Sequence, residues 1–214
     1  MLTLAPREPL REILFLGAHS DDIEIGCGAT VLRLVAEHPG LRVHWVVFSA
    51  SGDRADEARR SAESFLDGAG ESTVEVEAFP ERYFPYDGGA VKRWFDGLGQ
   101  RADPDVVFTH HRHDAHQDHR TIAELTWNTF RDHMILEYEI PKWEGDLGRP
   151  NVFVPLDEPI ATQKVELLLA GFPSQRNRYW FTSETFRAVM RLRGIEARAP
   201  SGLAEAFHGQ KMLL

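Results

Sequence analysis

Residues 11–28 read REILFLGAHSDDIEIGCG, and the character of this segment changes at His19. Residues 11–18 are rich in Ile, Leu and Phe and end in Gly and Ala, a composition typical of a buried β-strand. From residue 25 to residue 36, apolar residues recur at helical spacing before a His-Pro-Gly stop at residues 38–40. The pattern predicts a strand that enters a helix through a short polar turn.

The alternation of strand and helix continues along the chain. Residues 41–51 and 103–110 are typical of buried strands, and VEVEAF at residues 74–79 predicts a shorter one. Residues 53–68 and 87–101 have the composition and spacing of helices. We therefore expect a single α/β domain with a Rossmann-like, mostly parallel sheet and helices on both of its faces.

Composition narrows the classes of protein and partner. The 214 residues are 43% hydrophobic and 27% charged, which suits one globular domain over residues 1–214. No run approaches the roughly 18 apolar residues of a membrane span, and a net charge of -9 disfavours nucleic acid as a partner. The single cysteine, Cys27, cannot form an internal disulfide, which favours a cytoplasmic location. The composition is compatible with a monomer and with a homo-oligomer.

Histidines are concentrated in one short part of the chain. Five of the ten lie between His110 and His119, where uniform scatter would put about half a histidine in ten residues. This cluster follows a predicted strand, and the polar residues 19–24 follow another. Because ligand sites in such folds lie beyond the carboxyl ends of the strands, we expect the two clusters to meet there.

The spacing within both clusters suits a metal ion. His19 and Asp22 can face one ion from a tight turn, which leaves the adjacent Asp21 aimed elsewhere. His116 and His119 also lie three residues apart, so one ring can bind the metal while the other faces its open coordination position. Two histidines and one carboxylate, with water, compose a catalytic zinc site. The same set also accepts ferrous iron.

Several alternative roles for these residues compete with a hydrolytic metal site. The Asp-Asp pair could cap the following helix, and the histidine run could be a solvated polar loop. An Fe(II)-dependent oxygenase uses the same ligand set, but it is usually built on an all-β scaffold and gives Asp21 no evident role. A noncatalytic metal-binding protein would have little need of that carboxylate. A nucleotide or methyl-donor site at residues 26–28, Gly-Cys-Gly, would lack the full G-x-G-x-x-G spacing.

The two clusters carry a resemblance to a known family. AHSDDIEIGCG at residues 18–28 resembles the AHPDD-x-E-[LI]-G-x-G signature of the PIG-L/LmbE-like deacetylases, and HQDH at residues 116–119 resembles their H-x-D-H motif. Weaker similarities extend the resemblance over residues 11–175, through an R-x-x-E helix, a PD-V-V strand and a late S-Q pair. Ser20 stands where the signature has proline.

The resemblance implies a zinc-dependent N-acetylglucosaminyl deacetylase. Its substrate would be a small N-acetylated amino sugar, or a glycoconjugate or natural product that carries one. His19, Asp22 and His119 would hold the metal, with Fe²⁺ as the alternative ion. Asp21 would act as the general base on water and then pass the proton to the leaving amine.

The remaining residues of the motifs would support this chemistry. Protonated His116 would stabilise the oxyanion of the tetrahedral intermediate, and Asp118 would orient an imidazole. Arg54 would hold sugar hydroxyls or a phosphate, unless it is a solvated helix residue paired with a neighbouring carboxylate. The other histidines of the cluster are expected to form the wall of the site: His110, His111 and His113.

The C-terminal third has a weaker pattern. Residues 139–160 contain four prolines and no clear period, which predicts an ordered loop or an excursion that shapes substrate choice. Three aromatic residues in or beside it could stack on a sugar or pack in the core: Tyr138, Trp143 and Phe153. Helices are expected again at residues 161–170 and 183–193.

Overall fold

Strands and helices alternate along most of the chain in the computed structural model, which describes residues 9–212. The strands are β1 (Glu12–His19), β2 (Arg42–Ser49), β3 (Glu71–Val76), β4 (Val106–His110), β5 (Met134–Tyr138), β6 (Val152–Pro155) and β7 (Ala204–Gly209). The helices are α1 (Asp22–Glu37), α2 (Asp53–Phe65), α3 (Gly88–Arg101), α4 (Gln117–Thr129), α5 (Glu158–Gly171) and α6 (Ser183–Ala197), with a 3₁₀ turn at Pro173–Gln175. Among the described residues, no helix is long and apolar enough to cross a membrane.

All seven described strands join one sheet in the order β3-β2-β1-β4-β5-β7-β6. The strands from β3 to β5 are parallel, whereas β7 runs antiparallel to both β5 and β6. The chain builds outward from β1 toward β3 and then crosses to β4 on the other side of β1. The predicted Rossmann-like sheet is confirmed. The reversal point between β1 and β4 is where a crevice for ligands opens in such sheets.

The sheet is covered on both faces, which explains the continuous apolar run of β1. Ile13 and Phe15 point into a core shared with α1, α2, α5 and α6. Leu14 and Leu16 point the opposite way, into a core shared with α3 and α4. Because side chains alternate along a strand, a strand buried on both faces needs apolar residues at every position.

The structure departs from the sequence prediction in several places, and strand pairing explains two of them. β3 begins at Glu71, earlier than expected, because its pairing with β2 runs from Arg42 opposite Glu71 to Val47 opposite Val76. The segment 139–160, expected to be an ordered loop or an excursion, contains β6 and the first turn of α5. β6 has only four residues and pairs with β7, which lies about fifty residues further along the chain, so no local pattern marks it.

Helix α1 is broken near its start. Cys27 has φ -145° and ψ 16°, which are not helical values, and the helix resumes after it. The break lies in the Gly-Cys-Gly sequence, where a side chain at Gly26 would overlap the ring of Tyr138. The glycine therefore allows the first turn of α1 to pack closely against β5.

A buried ion pair bonds the backbone groups on both sides of this break. Glu205 of β7 accepts hydrogen bonds from the backbone N–H groups of Ala29, at 3.0 Å, and Thr30, at 2.7 Å. Lys164 of α5 donates to the Ile25 carbonyl at 2.8 Å and to Glu205 at 2.5 Å. These bonds satisfy groups that a continuous helix would pair internally, so β7 and α5 together fix the shape of α1.

We expect the Glu205→Ala variant to lose about 3–5 kcal/mol of unfolding free energy, because it leaves the buried Lys164 ammonium without its counter-charge and two backbone N–H groups without the carboxylate that accepts from them. Urea unfolding followed by circular dichroism measures the change. Glu37→Ala is the matched control, since it removes the exposed Arg33–Glu37 pair and should cost less than about 1 kcal/mol. Equal losses in the two variants would contradict this account.

Candidate active site

The two polar clusters meet in the crevice between β1 and β4. His19 ends β1, and Asp22 begins α1 directly after it. On the other side, His110 ends β4, while His116 and His119 lie at the start of α4. Strand order alone brings these residues together, because β1 and β4 are parallel neighbours whose carboxyl ends share one edge of the sheet.

Three potential ligand atoms form a nearly equilateral triangle. His19 Nδ1 lies 3.3 Å from Asp22 Oδ2 and 3.2 Å from His119 Nε2. The third side, from His119 Nε2 to Asp22 Oδ2, is 3.5 Å. Tetrahedral zinc with metal–ligand bonds of about 2.0–2.1 Å separates its ligand atoms by about 3.3 Å. The donor types and their spacing therefore fit a zinc ion.

The aspartates do not cap α1 with their side chains, so the capping role is wrong. Asp21 occupies the N-cap position, but its carboxylate makes no capping hydrogen bond. Asp22 Oδ2 instead accepts from the backbone N–H of His19 at 2.7 Å. Both carboxylates are buried, with exposed fractions of 6% and 4%. They belong to the crevice rather than to the helix end.

Two carboxylates orient the histidine rings of the triangle. Asp118 Oδ2 lies 3.2 Å from His19 Nε2, which turns His19 Nδ1 toward the other two atoms. Asp114 Oδ2 lies 3.0 Å from His119 Nδ1, which turns His119 Nε2 the same way. Metal-binding histidines characteristically have such a carboxylate on their second nitrogen. Asp114 is not among the site residues predicted from the sequence. Its position within the histidine-rich run is the signal that could have identified it.

The loop after β3 holds Asp118 in place. The backbone N–H groups of Arg82 and Phe84 donate to its two oxygens, at 2.6 Å and 3.3 Å. Arg82 has a φ of 71°, a left-handed conformation that is unfavourable for a residue with a side chain. Such strain persists where surrounding contacts require it, and here it accompanies a backbone N–H that points at the carboxylate.

Charges around the triangle shift the pKa values of its members. Burial disfavours a positive His19, but Asp22 and Asp118 outweigh it and raise the pKa of His19 to about 10. Burial lowers the pKa of His119 to about 3, and the neighbouring His110 contributes to this shift. Burial also opposes the charge on Asp22, yet the surrounding histidines hold its pKa well below its usual range. The crevice thus favours an ionised Asp22 and a neutral His119.

Asp21 lies beside Arg54 at the edge of the crevice. The Arg54 guanidinium donates from Nη2 to Asp21 Oδ1 at 3.3 Å and from Nε to Ser20 Oγ at 3.0 Å. Burial raises the pKa of Asp21 to about 6, and the charge of Asp22 contributes, although Arg54 opposes the shift. Arg54 therefore points into the crevice rather than into solvent, and its hydroxyl partner Ser20 is the residue that replaces proline in the motif.

His116 stands at the N-cap of α4. Its Nδ1 accepts from the backbone N–H of Asp118 at 3.2 Å, which leaves the ring proton on Nε2. Burial lowers the pKa of His116, and the charge of His19 lowers it further. The structure thus favours a neutral ring with one N–H donor, in place of the protonated ring expected from the sequence.

The other histidines of the run differ in their surroundings. His110 is fully buried, and its ring stacks on that of His119 with centroids 3.9 Å apart. Its Nε2 lies 3.1 Å from Asp22 Oδ2 and accepts from the Ala18 backbone N–H at 2.9 Å. His111 binds Glu137 at 2.8 Å instead. Because His110 and His119 are buried, the run is not simply a solvated loop.

Two further combinations of residues in the crevice bring ligand atoms within 4.8 Å of one another. One is His19, His116 and His119, and the other is Asp22, His110 and His119. Both share His119 with the triangle, so a single ion has several candidate ligands around one position.

The chain is similar to several known proteins. A family model described as PIG-L: GlcNAc-PI de-N-acetylase matches residues 14–130, which contain both motifs. The protein named "Uncharacterized deacetylase YaiS" of Escherichia coli K12 is 30% identical over 168 residues, covering 73% of this chain and 88% of its own length.

Two solved structures share the fold at low identity. The N,N'-diacetylchitobiose deacetylase of Pyrococcus horikoshii is 17% identical with a TM-score of 0.72, covering 94% of this chain and 84% of its own. GalB, a 4-carboxy-2-hydroxymuconate hydratase of Pseudomonas putida KT2440, is 18% identical with a TM-score of 0.72, covering 95% and 98%. The fold alone therefore accompanies more than one reaction. The family match and the identity to the E. coli relative show that this protein belongs to the PIG-L family and is a deacetylase.

Proposed function

We propose that this deacetylase is a metal-dependent amide hydrolase that removes an acetyl or related acyl group from an N-acetylated amino sugar, or from a glycoconjugate or natural product that contains one. The triangle of His19, Asp22 and His119 carries the proposal, together with the buried Asp21 carboxylate, which is not one of its corners. The description of the family as a GlcNAc-PI de-N-acetylase and the name of the Pyrococcus protein, an N,N'-diacetylchitobiose deacetylase, support the class of substrate.

Zinc is the proposed ion, and Fe²⁺ is the alternative that accepts the same ligands. His19, Asp22 and His119 would hold it, because His110 already uses its Nε2 lone pair for the Ala18 backbone N–H. When bound, such an ion acts as a Lewis acid that brings the ionisation of water to near neutral pH and polarises a carbonyl oxygen.

Asp21 is the proposed general base. Its carboxylate adjoins the ligand Asp22 in sequence, makes no capping bond and is held by Arg54. As water attacks the amide carbonyl carbon, Asp21 takes one proton from it, and the C–N bond then breaks as Asp21 returns that proton to the departing nitrogen. The products are a carboxylic acid and a primary amine. Asp21 gives back the proton that it accepted, so no other proton donor or acceptor is needed.

Two other side chains complete the proposed site. His116 would donate its Nε2 proton to the carbonyl oxygen as negative charge develops there, which requires only the neutral ring. Arg54 is the proposed contact to sugar hydroxyls or a phosphate, because the Nη1 group of its guanidinium makes no bond to Ser20 or Asp21. Asp118 would position His19 through its contact with Nε2.

We also propose that the partner is a small molecule and that the protein is located in the cytoplasm. The charge of -9 supports the view that nucleic acid is not a partner. The chain has a single cysteine, Cys27, and so forms no internal disulfide, which supports a reducing compartment.

Two other metal-based functions use the same ligands. An Fe(II)-dependent oxygenase would need the open coordination positions but would give the buried Asp21 no role. A noncatalytic metal-binding protein would gain nothing from a carboxylate that burial makes costly to ionise. Both alternatives predict that no amine is released from an acetylated sugar.

Release of primary amine from a panel of N-acetylglucosamine derivatives tests the reaction. We expect release by the purified protein, loss of release after chelation, and recovery when zinc or Fe²⁺ is restored, because the ligand triangle holds the ion that activates water. Fluorescamine detection quantifies the amine. Chelator-insensitive release would remove the metal from the mechanism, and protein with one metal per chain but no release from any derivative would contradict the proposed reaction.

The Asp21→Asn variant separates the base from the ligands. We expect kcat to fall by about 10²–10⁴ because the amide cannot accept the proton, while metal content stays at the level of the unchanged protein. Inductively coupled plasma mass spectrometry and steady-state kinetics measure the two quantities. Asp96→Asn, on the exposed surface of α3, is the control for loss of a carboxylate. Retained turnover in Asp21→Asn would exclude this residue as the base.

His119→Ala and His116→Ala distinguish a ligand from an oxyanion donor. His119→Ala should lose metal affinity, since it removes one corner of the triangle. His116→Ala should keep its metal and lose about 10²–10³ in kcat, the cost typical of one removed oxyanion donor. Equilibrium dialysis against zinc with parallel kinetics gives both answers. Equal metal affinity in the two variants would overturn the assignment.

A further inference from the structure

Two large aromatic side chains stand together on the surface. Trp143 and Tyr179 are each 74% exposed, and their rings meet edge to face with centroids 5.3 Å apart. Of the aromatic residues that the sequence suggested as a sugar-stacking wall, Tyr138 is fully buried and bonds its hydroxyl to the Leu16 carbonyl at 2.6 Å, so it belongs to the core. Trp143 is available to a ligand, and the structure adds Tyr179 as its partner.

The segment that carries Trp143 is fastened to the metal side of the crevice. Lys142, its immediate neighbour, donates to Asp114 Oδ2 at 2.8 Å, the same oxygen that orients His119. Asp146 accepts from the backbone N–H of Ala115 at 2.6 Å and pairs with Lys142 at 2.7 Å. These contacts fix the base of the segment 141–148 next to the triangle.

The segment that carries Tyr179 is fastened to the other side, near the proposed base. It follows the 3₁₀ turn, where Ser174 donates from its backbone N–H and its hydroxyl to Glu57, at 2.9 Å and 2.5 Å. Glu57 is buried on α2, one turn after Arg54, which binds Asp21. The Trp143–Tyr179 contact therefore joins two segments that are attached to opposite sides of the crevice.

We propose that Trp143 and Tyr179 form a stacking platform for a second pyranose ring, the one glycosidically linked to the N-acetylated sugar. The inference rests on the proposed function and narrows its substrates to oligosaccharides and glycosides. Aromatic faces bind the C–H face of a ring, while polar groups around them bind its hydroxyls. The exposed sequence neighbours Glu144, Asn177 and Arg178 supply such groups.

The polar surroundings favour a sugar over an acyl chain. A lipid tail needs a continuous apolar surface, which soluble proteins rarely expose except at a binding site. Here the two rings lie on segments whose exposed sequence neighbours at residues 144, 177 and 178 carry charged or amide side chains. Two exposed aromatic rings on segments rich in polar residues suit a pyranose, which has both an apolar C–H face and polar hydroxyl groups.

Binding to the metal-loaded Asp21→Asn protein tests the platform without turnover. Isothermal titration with N,N'-diacetylchitobiose and with N-acetylglucosamine gives the ratio of their affinities. We expect the disaccharide to bind more tightly, and Trp143→Ala or Tyr179→Ala to weaken disaccharide binding about ten-fold, so that the ratio falls toward one. Trp143→Phe should restore most of the difference because it keeps an aromatic face. Ile195→Ala, which truncates an exposed apolar residue near the end of α6, should leave the ratio unchanged.

The outcomes separate this inference from the proposed function. Binding of both sugars with a ratio that Trp143→Ala does not change would overturn the platform and leave the deacetylase proposal intact. Binding of neither sugar by metal-loaded protein would contradict both. A long-chain alkyl glycoside that depends on Trp143, alongside a disaccharide that does not, would show that the rings receive an acyl chain and would also overturn the pyranose assignment.

Discussion

A single carboxylate oxygen, Oδ2 of Asp22, has three imidazole rings within 3.5 Å of it. Burying so many titratable groups in one place is costly unless opposite charges pair or a cation replaces the protons. The surrounding structure supplies this compensation: the His19 backbone N–H bonds the same oxygen, and Asp114 and Asp118 bond the outer ring nitrogens. The geometry of the crevice depends on keeping this cluster together.

The break in α1 also helps to hold Asp22 in this cluster. Asp22 opens the helix, and the close approach of Gly26 to Tyr138 allows its first turn to lie against the end of β5. A straight helix would pair its own backbone groups, but here Glu205 and Lys164 bond them from β7 and α5. The C-terminal third of the chain, which contributes no residue to the ligand triangle, thus fixes the element on which Asp22 stands.

The features that could be predicted from the sequence are those set by local residue pattern and by the parallel order of the strands. The strand before His19, the helix after it and the meeting of the two polar clusters follow from apolar spacing and from the common edge of β1 and β4. The break within that helix is not predicted, because it depends on Glu205 and Lys164 from the far end of the chain. The bond of Asp118 to the Arg82 backbone likewise joins residues 36 positions apart, and no periodicity marks such contacts.

In the proposed site, the residues that would choose the substrate lie apart from those that would carry out the chemistry. Two side-chain contacts connect the two groups. The proposed ligands and the proposed base lie at the end of β1 and at the starts of α1 and α4, where backbone hydrogen bonds hold them rigidly. The exposed aromatic pair lies on irregular segments, which tolerate change in sequence and length. Because Lys142–Asp114 and Ser174–Glu57 fasten those segments at their bases, their tips can vary without moving the triangle. This arrangement would allow the proposed hydrolytic centre to serve substrates that differ beyond the acetylated sugar.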